Sequence, residues 1–274
     1  MSIHPTAIVD KTTEIDPAAE IGAYAIIEPN VKIGAETRIY PHAYVSCGTT
    51  IGRRCRIHPF AVVGHHPQDL KWDGAPSYTT IGDGVVVREG AQIHRGTMPE
   101  STTVIGNHVY MMATSHVGHN CIIGDHVIMV NGVLVSGHVE IGQHAFLSGN
   151  SMFHQFIRVG EYAMISGGTR VTNDVPPFMT CTPVGVIQTN VVGLRRAGFS
   201  REERLELRLA YKTLFRSGMP FREAIAQVVE TVRTDPGRRL AAFLQARSQR
   251  GYMSYRGNMR AEEDAAEEIE ESES

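Results

Sequence analysis

The residues of this sequence that are best suited to chemistry are histidines, of which the 274-residue chain has 13. Four of them, His116, His119, His138 and His154, follow no common spacing, and Gly137 lies three hexapeptides after His119. If the fold places Gly137 beside His119, an imidazole that accepts a proton lies next to a backbone N–H that can donate to a developing oxyanion. That pair suits acyl transfer to a hydroxyl group.

Two other interpretations of these histidines remain. Zinc is often held by three histidines, and the His116-x-x-His119 pair together with His138 offers that number. The spacing does not fit the trimeric β-helical carbonic anhydrases, whose paired histidines are further apart, so we predict no metal site. The second alternative is a set of surface histidines with no shared role.

A six-residue repeat organises the chain around these histidines. Every sixth position from Ile3 to Val63 carries a β-branched aliphatic residue, and the same phase returns at Ile81 and ends at Val171. Such residues suit short extended segments. A search for internal repeats therefore decides the fold class before any other argument.

A second, longer period lies on top of the first and repeats after every third hexapeptide. It is marked by glycines that follow an aliphatic residue: Gly34, Gly52, Gly106, Gly124, Gly142 and Gly160. Three hexapeptides thus form one coil, and coils stacked about 4.8 Å apart give a triangular parallel β-helix. At each of these glycines we predict a positive φ or a close backbone approach. The spacing leaves the handedness open.

The coil geometry separates scaffold histidines from chemical ones. His108, His126 and His144 recur at the coil spacing, so we predict a solvent-facing ladder that serves the scaffold. His119 lies two residues after the inward-pointing Val117, so it should face a groove outside the core, with Gly137 directly above it on the next coil.

Two segments interrupt the repeat without changing its phase, residues 65–80 and residues 94–103. Loops that leave a rigid solenoid often carry binding or catalytic residues. After Val171 the repeat ends at the sequence VTNDVPPF. Ser200 and Glu203 then form a predicted capping box, and helical periodicity continues through segments that begin near Phe221 and Arg238. We predict a β-helix over residues 1–184, a helical domain over 185–260 and an acidic disordered tail over 261–274.

The bulk composition excludes several classes of protein. The net charge of −3 provides no basic face for nucleic acid, and no apolar stretch is long enough to span a membrane. The four cysteines form no CxxC pair, and the N-terminus lacks the pattern of a signal peptide. We therefore expect a cytoplasmic protein.

The motifs, taken in order, carry a family resemblance. HPTAIVD, QDLKWDGAP, IHRGT, TSHVGHNC, SGHV, FHQF, NDVPPF and GLRRAGFSREE follow one another along the chain. They resemble the UDP-N-acetylglucosamine acyltransferases that begin lipid A biosynthesis. The resemblance implies a left-handed β-helix, a homotrimer with active sites between subunits, and transfer of a (3-hydroxy)acyl group to the sugar 3-hydroxyl. It implies no metal or free cofactor, because acyl carrier protein brings the phosphopantetheine thioester as co-substrate.

The resemblance also assigns roles to residues of this sequence. His119 would be the general base, and the Gly137 N–H would stabilise the oxyanion. Asn190 and Arg196 would contact the nucleotide or the phosphopantetheine arm. Gly167 lies where the family limits the length of the acyl chain. The residues that would hold the sugar or lie near it are Asp69, Lys71, His116, His138, His154 and Gln155.

Three positions depart from the family pattern. Asn120 follows the predicted base where the family usually has an aspartate; an amide oxygen can still orient the ring but does not stabilise an imidazolium as an anion does. Val192 and Ala197 replace a glutamate and an arginine near the nucleotide. Two alternatives follow: a paralogue that acylates another nucleotide sugar, and a carrier-binding trimer with weak or no activity.

Overall fold

The computed structural model describes residues 2–254 of the chain. The strands are, in chain order, β1 Ser2–Ile3, β2 Ile8–Val9, β3 Glu14–Ile15, β4 Glu20–Ile21, β5 Ile26–Ile27, β6 Lys32–Ile33, β7 Arg38–Ile39, β8 Tyr44–Val45, β9 Thr49–Ile51, β10 Arg56–Ile57, β11 Val62–His65, β12 Tyr78–Ile81, β13 Val86–Val87, β14 Gln92–His94, β15 Thr102–Ile105, β16 Tyr110–Met111, β17 His116–Val117, β18 Ile122–Ile123, β19 Ile128–Met129, β20 Leu134–Val135, β21 Glu140–Ile141, β22 Phe146–Leu147, β23 Met152–Phe153, β24 Arg158–Val159, β25 Met164–Ile165, β26 Arg170–Val171, β27 Met179–Thr182 and β28 Gly185–Thr189. The helices are α1 Val191–Arg196, α2 Arg201–Arg216, α3 Phe221–Thr231 and α4 Asp235–Gln245.

Every third strand up to β26 pairs in parallel with the next, so three sheets form the sides of a solenoid. Within an uninterrupted stretch each residue pairs with the one three hexapeptides later, as Val117 does with Val135. Across the two insertions the aliphatic positions still pair with one another, Ile51 with Ile81 and Ile81 with Ile105. The predicted repeat and its constant phase are therefore confirmed.

The core of the solenoid consists of the inward residues of each hexapeptide. Ile57, Val63, Val87 and Ile93 are completely buried, whereas the residue before each of them on its strand is partly or largely exposed. Burial of one such side chain contributes about 1.5–3 kcal/mol. The strands are only two to five residues long, so their stability depends on stacking within this core.

The recurring glycines are explained by the close approach of neighbouring backbone and not by a positive φ. A Cβ on Gly34 would lie 2.7 Å from the carbonyl carbon of Gly52, and one on Gly52 would lie 2.6 Å from the Gly82 oxygen. The left-handed φ values occur two residues further on, at residues such as His126 (58°) and His144 (57°). Of the two predicted reasons for these glycines, close approach is the correct one.

Rings stack in columns at the left-handed corner positions. His108, His126 and His144 lie 4.9 and 4.7 Å apart in nearly parallel planes, and Tyr162 continues the column at 4.6 Å. All three histidines are exposed. The predicted scaffold ladder is confirmed.

The helices begin where their capping residues predict. Ser200 accepts a hydrogen bond from the Glu203 N–H, and the Glu203 carboxylate accepts one from the Ser200 N–H, which completes the predicted capping box of α2. Thr234 caps α4. The short helix α1 follows from no periodicity and was not predicted. None of the described helices combines the length and apolar character needed to cross a bilayer.

The segment that follows the last coil is joined back to it by a buried ionic contact. The completely buried Asp174 accepts hydrogen bonds from the N–H and the Nε of Arg158, each 2.8 Å long. Removing one partner of such a pair costs about 3–5 kcal/mol. The antiparallel hairpin of β27 and β28 extends one sheet toward α1. The predicted boundary between residues 184 and 185 falls in its turn, and the predicted tail lies outside the described residues.

Candidate functional site

His119 lies at the corner between β17 and β18. Val117 and Cys121, on either side of the corner, point into the aliphatic core and are completely buried, so the residues between them must turn outside it. His119 thus lies outside the core, as the repeat phase predicts. His119 is nevertheless only 5% exposed. Asp69 of the first inserted loop lies 3.6 Å from its ring, and Thr97 of the second loop bonds to the neighbouring Asn120.

Asn120 faces the Nδ1 side of the His119 ring. Its Oδ1 lies 3.0 Å from Nδ1 and accepts hydrogen bonds from the N–H and the hydroxyl of Thr97, at 3.0 and 2.9 Å. A backbone N–H only donates, so the amide atom that faces Thr97 must be the oxygen. An oxygen beside Nδ1 requires that Nδ1 carry the proton. Neutral His119 is therefore the Nδ1–H tautomer, with a free lone pair on Nε2.

The Nε2 side of the ring faces Asp69, whose Oδ2 lies 3.6 Å from Nε2. This separation is too long for a direct hydrogen bond. The Oδ1 of Asp69 accepts a 2.9 Å bond from the Lys71 N–H, which fixes the carboxylate within its loop. A basic nitrogen and an acceptor oxygen thus face one another, an arrangement that accommodates a hydroxyl group donated to Nε2.

Gly137 lies against the His119 ring, as the spacing of three hexapeptides predicts. A Cβ at this position would lie 2.9 Å from Nδ1 and closer still to Cε1 and Nε2. Within the part of the chain that the structure describes, the Gly137 N–H donates no hydrogen bond. A backbone donor without a partner therefore lies beside a base with a free lone pair.

Two further histidines surround the base in neutral form. The rings of His138 and His119 pack edge to face with their centroids 5.1 Å apart, and His138 stacks on Phe156 with centroids 4.8 Å apart. Burial is the main cause that lowers the pKa of His138, and His119 contributes. Burial is also the main cause that lowers the pKa of His116 to about 4, to which His94 and His119 contribute. The site therefore carries little positive charge beyond any proton that His119 accepts.

The remaining residues singled out from the sequence lie further from His119. Gln155 is one coil above Gly137, exposed, and its carbonyl lies 3.1 Å from Nδ1 of the exposed His154. The Lys71 side chain is also exposed. No contact joins these three side chains to the His119 ring in the described residues, so their roles stay predictions.

The residues expected near the nucleotide and the acyl chain form a separate group. Asn190 caps α1 by accepting from the Gly193 N–H, and its amide donates to the Tyr162 carbonyl. Arg196 is exposed in the last turn of α1. Gly167 is exposed, and a Cβ there would meet only the Gly149 oxygen at 3.4 Å. The backbone at Gly167 therefore has room for a side chain.

Three residues of the second loop escaped the sequence argument: His94, Arg95 and Thr97. All are at least nine-tenths buried. His94 Nδ1 lies 2.5 Å from the His66 carbonyl, and its Nε2 is buried without a partner in the described residues. The motif IHRGT was the available signal, because it opens a loop predicted to carry function. Among residues 2–254 no group of three or more His, Cys, Asp or Glu side chains could hold a metal ion.

A three-sided solenoid of hexapeptide coils, with the basic Nε2 of His119 at one corner, is the arrangement of a hexapeptide-repeat transferase. Residues 30–65 match the family model of the bacterial transferase hexapeptide (six repeats). Residues 174–253 match the second domain of UDP-N-acetylglucosamine O-acyltransferase.

Whole-chain comparisons extend this match. The acyl-[acyl-carrier-protein]–UDP-N-acetylglucosamine O-acyltransferase of Trichlorobacter lovleyi is 52% identical over 258 residues, which cover 92% of this chain and 98% of the relative. The chain belongs to this family of O-acyltransferases. The solved UDP-N-acetylglucosamine acyltransferase of Francisella novicida is 35% identical with a TM-score of 0.87, and covers 91% of this chain and 92% of its own. The enzyme of Campylobacter jejuni is 33% identical with a TM-score of 0.86, over 93% and 100%. The fold is the left-handed parallel β-helix that the resemblance implies.

Proposed function

We propose that this protein transfers a (3-hydroxy)acyl group from acyl carrier protein to the 3-hydroxyl of UDP-N-acetylglucosamine, the first step of lipid A biosynthesis. The observation that carries the proposal is the free lone pair on Nε2 of His119, with Asp69 on one side and the bare Gly137 N–H on the other. The names of the relatives supply the acyl donor and the acceptor.

The reaction follows from the tautomer of His119. As the sugar hydroxyl attacks the thioester carbonyl, Nε2 takes the hydroxyl proton and the new C–O bond forms. The carbonyl oxygen becomes an oxyanion, to which the Gly137 N–H donates. When the tetrahedral intermediate collapses, the C–S bond breaks and the phosphopantetheine thiolate takes the proton back from Nε2. The products are the sugar ester and the free carrier thiol, and these steps require no other cofactor.

Asn120 and Asp69 assist the base in different ways. Asn120 holds the ring through Nδ1–H, so Nε2 stays available for the hydroxyl proton. The Asp69 carboxylate lies near enough to Nε2 to attract the imidazolium that forms and to accept a hydrogen bond from the sugar. We assign His116, His138 and Gln155 to the sugar, with Lys71 and His154 beside it.

The donor and the nucleotide are assigned to the face above the site. One strand face carries the exposed apolar residues Leu134 and Met152 in the two coils above His116. Such a row suits an acyl chain or a neighbouring subunit, which supports a homotrimer with sites between its subunits. We assign Asn190 and Arg196 to the nucleotide or the phosphopantetheine arm and Gly167 to the end of the acyl chain, in a cytoplasmic enzyme built of a β-helix and a helical domain.

One observation favours a second candidate, an acyltransferase for another nucleotide sugar. Val192, where the family has a glutamate, is 49% exposed in α1, and Ala197, the residue that follows this helix, is also exposed. Neither residue can donate or accept a hydrogen bond through its side chain. A panel of nucleotide sugars assayed with one acyl carrier protein distinguishes the candidates, because a clear preference for UDP-N-acetylglucosamine eliminates the second.

The test of the main proposal is acyl transfer by the purified protein, followed by mass spectrometry of the nucleotide sugar. We expect His119→Ala to lower kcat by about 10²- to 10⁴-fold, whereas His126→Ala in the exposed ladder keeps the wild-type rate. An unchanged rate in His119→Ala would refute the assignment. If the wild-type protein binds acyl carrier protein but acylates no sugar, it is a carrier-binding protein instead.

A further inference from the structure

The two side chains that flank the His119 ring are both held by one short segment, residues His94–Thr97. Asn120 lies at Nδ1 and Asp69 lies at Nε2. On the basis of the proposed function, we propose that Arg95 and Thr97 are positioning residues for the acyl transfer, each acting through one of these two side chains.

Thr97 determines which end of the Asn120 amide faces the base. Its N–H and its hydroxyl both donate to Oδ1 of Asn120, and the Asn120 N–H donates to the Thr103 hydroxyl at 2.8 Å. A flipped amide would turn its NH₂ group toward the Thr97 N–H and toward Nδ1–H of His119, which leaves donors facing donors. Thr97 therefore keeps the Nδ1–H tautomer in place.

His94 and Arg95 hold the start of the loop that carries Asp69. Three consecutive carbonyls, at the end of β11 and the first residue beyond it, accept hydrogen bonds from these two residues. The Gly64 oxygen accepts from Nε of Arg95 at 2.8 Å, the His65 oxygen from the Arg95 N–H at 3.0 Å, and the His66 oxygen from Nδ1 of His94 at 2.5 Å. Asp69 follows three residues later, so the direction in which the loop leaves the coil is fixed.

The Arg95 guanidinium is itself held by residues of the preceding coils. It is 5% exposed and donates to the Ser46 hydroxyl at 2.6 Å, and that hydroxyl donates to Glu28 at 2.6 Å. Burial alone would raise the pKa of Glu28, but hydrogen bonds from Ser46, Tyr44 and the Cys47 N–H lower it to about 2. The carboxylate is therefore ionised at neutral pH, and the buried cation has an anion one hydroxyl away.

If Arg95 only stabilised the fold, its contacts would not need to converge on the loop that carries Asp69. The solenoid is already held by its backbone ladders and its aliphatic core, and a buried ion pair is a poor source of stability. The three guanidinium nitrogens of Arg95 nevertheless all donate within this region: Nε to the Gly64 carbonyl, one Nη to the Ser46 hydroxyl and the other Nη to the Cys47 sulfur at 3.2 Å. Burying the Arg95 charge costs free energy, which is consistent with a requirement that the Asp69 loop keep one geometry.

The Thr97 arm is tested with Thr97→Val, which removes the hydroxyl, and Thr97→Ser, which restores it. We expect Thr97→Val to lower kcat about 5-fold with KM unchanged, and Thr97→Ser to recover the rate. The loss should vanish in an Asn120→Ala background if Thr97 acts through Asn120. Thr80→Val, on an exposed strand position, is the matched control. An equal loss in both backgrounds overturns this arm.

The Arg95 arm is tested with the double variant Glu28→Gln/Arg95→Met, which removes both charges together so that neither stays buried alone. We expect KM for the nucleotide sugar to rise about 10-fold and the rise to disappear in an Asp69→Asn background. The exposed Arg56→Met is the control. A rise in KM that persists without the Asp69 carboxylate overturns the positioning role of Arg95.

A readout independent of turnover separates this proposal from the proposed function. In ¹⁵N-histidine-labelled protein the His119 ring, assigned by its loss in His119→Ala, should show the Nδ1–H tautomer. Thr97→Val keeps the backbone donor to Asn120 but loses the hydroxyl donor, so the share of the Nε2–H form should rise without becoming dominant. If the wild-type protein transfers no acyl group but the tautomer responds, only the proposed function fails. If the tautomer and the rate both ignore Thr97, the positioning proposal is wrong.

Discussion

Replacing Gly137 with alanine tests the central contact of the site. The added Cβ would lie 2.9 Å from Nδ1 of His119 and closer to two other ring atoms, whereas non-bonded atoms rest about 3.5–4.0 Å apart. The ring must therefore move by roughly 1 Å from the position in which Nδ1 lies 3.0 Å from the Asn120 oxygen. A displacement of about 1 Å in a catalytic group can cost 10²-fold. We expect kcat to fall about 100-fold.

The assay is steady-state acyl transfer at saturating donor and acceptor, combined with thermal unfolding to verify that the variant is folded. Gly149→Ala is the control, because its Cβ would approach only the Asn131 oxygen at 3.3 Å and the Val130 side chain at 3.5 Å. We expect that variant to keep most of its activity. A folded Gly137→Ala protein with the wild-type kcat would refute the inference that the glycine makes room for the base.

Three other outcomes are expected. Asn120→Asp keeps the oxygen that accepts both Thr97 hydrogen bonds and adds an anion beside Nδ1–H, so the acid limb of kcat/KM should move up by about one pH unit; an unmoved limb contradicts this. His116 has a folded-state pKa of about 4, below the ordinary value of about 6.5, so the unfolded chain binds more protons between these values. The free energy of unfolding should fall by about 2 kcal/mol between pH 7 and pH 5 through this group, and urea titrations of His116→Gln should lack that share. Gly167→Met should shorten the preferred acyl chain in a competition among acyl carriers, and an unchanged preference contradicts its assignment.

The hexapeptide phase predicted much of the fold because the aliphatic residue at every sixth position is the one whose side chain points into the core. Val117 and Cys121 are buried as that phase requires, and the corner between them places His119 outside the core. The same arithmetic placed Gly137 against His119, since each coil takes up three hexapeptides and stacks in register on the one before it. Local capping chemistry likewise predicted the start of α2 at Ser200.

The structure of the two inserted loops could not be predicted from the repeat. Periodicity gives no path for a segment that leaves the coil, so neither the position of Asp69 near His119 nor the bond between Thr97 and Asn120 could be predicted from it. Arg95 was missed for a related reason. Its partners Ser46 and Gly64 are 49 and 31 residues away in sequence, and only the coordinates bring them together.

The stacking of corner upon corner also governs how this chain tolerates changes in length. A single residue deleted between His119 and Gly137 would move every later side chain by one position on its strand and turn aliphatic residues toward water. The site and the core would be lost together. Insertions can be absorbed only where the coil is already broken, as between β11 and β12, where the strands on either side keep their alignment. Within the described coils, length can thus vary at the two loops that lie near the base.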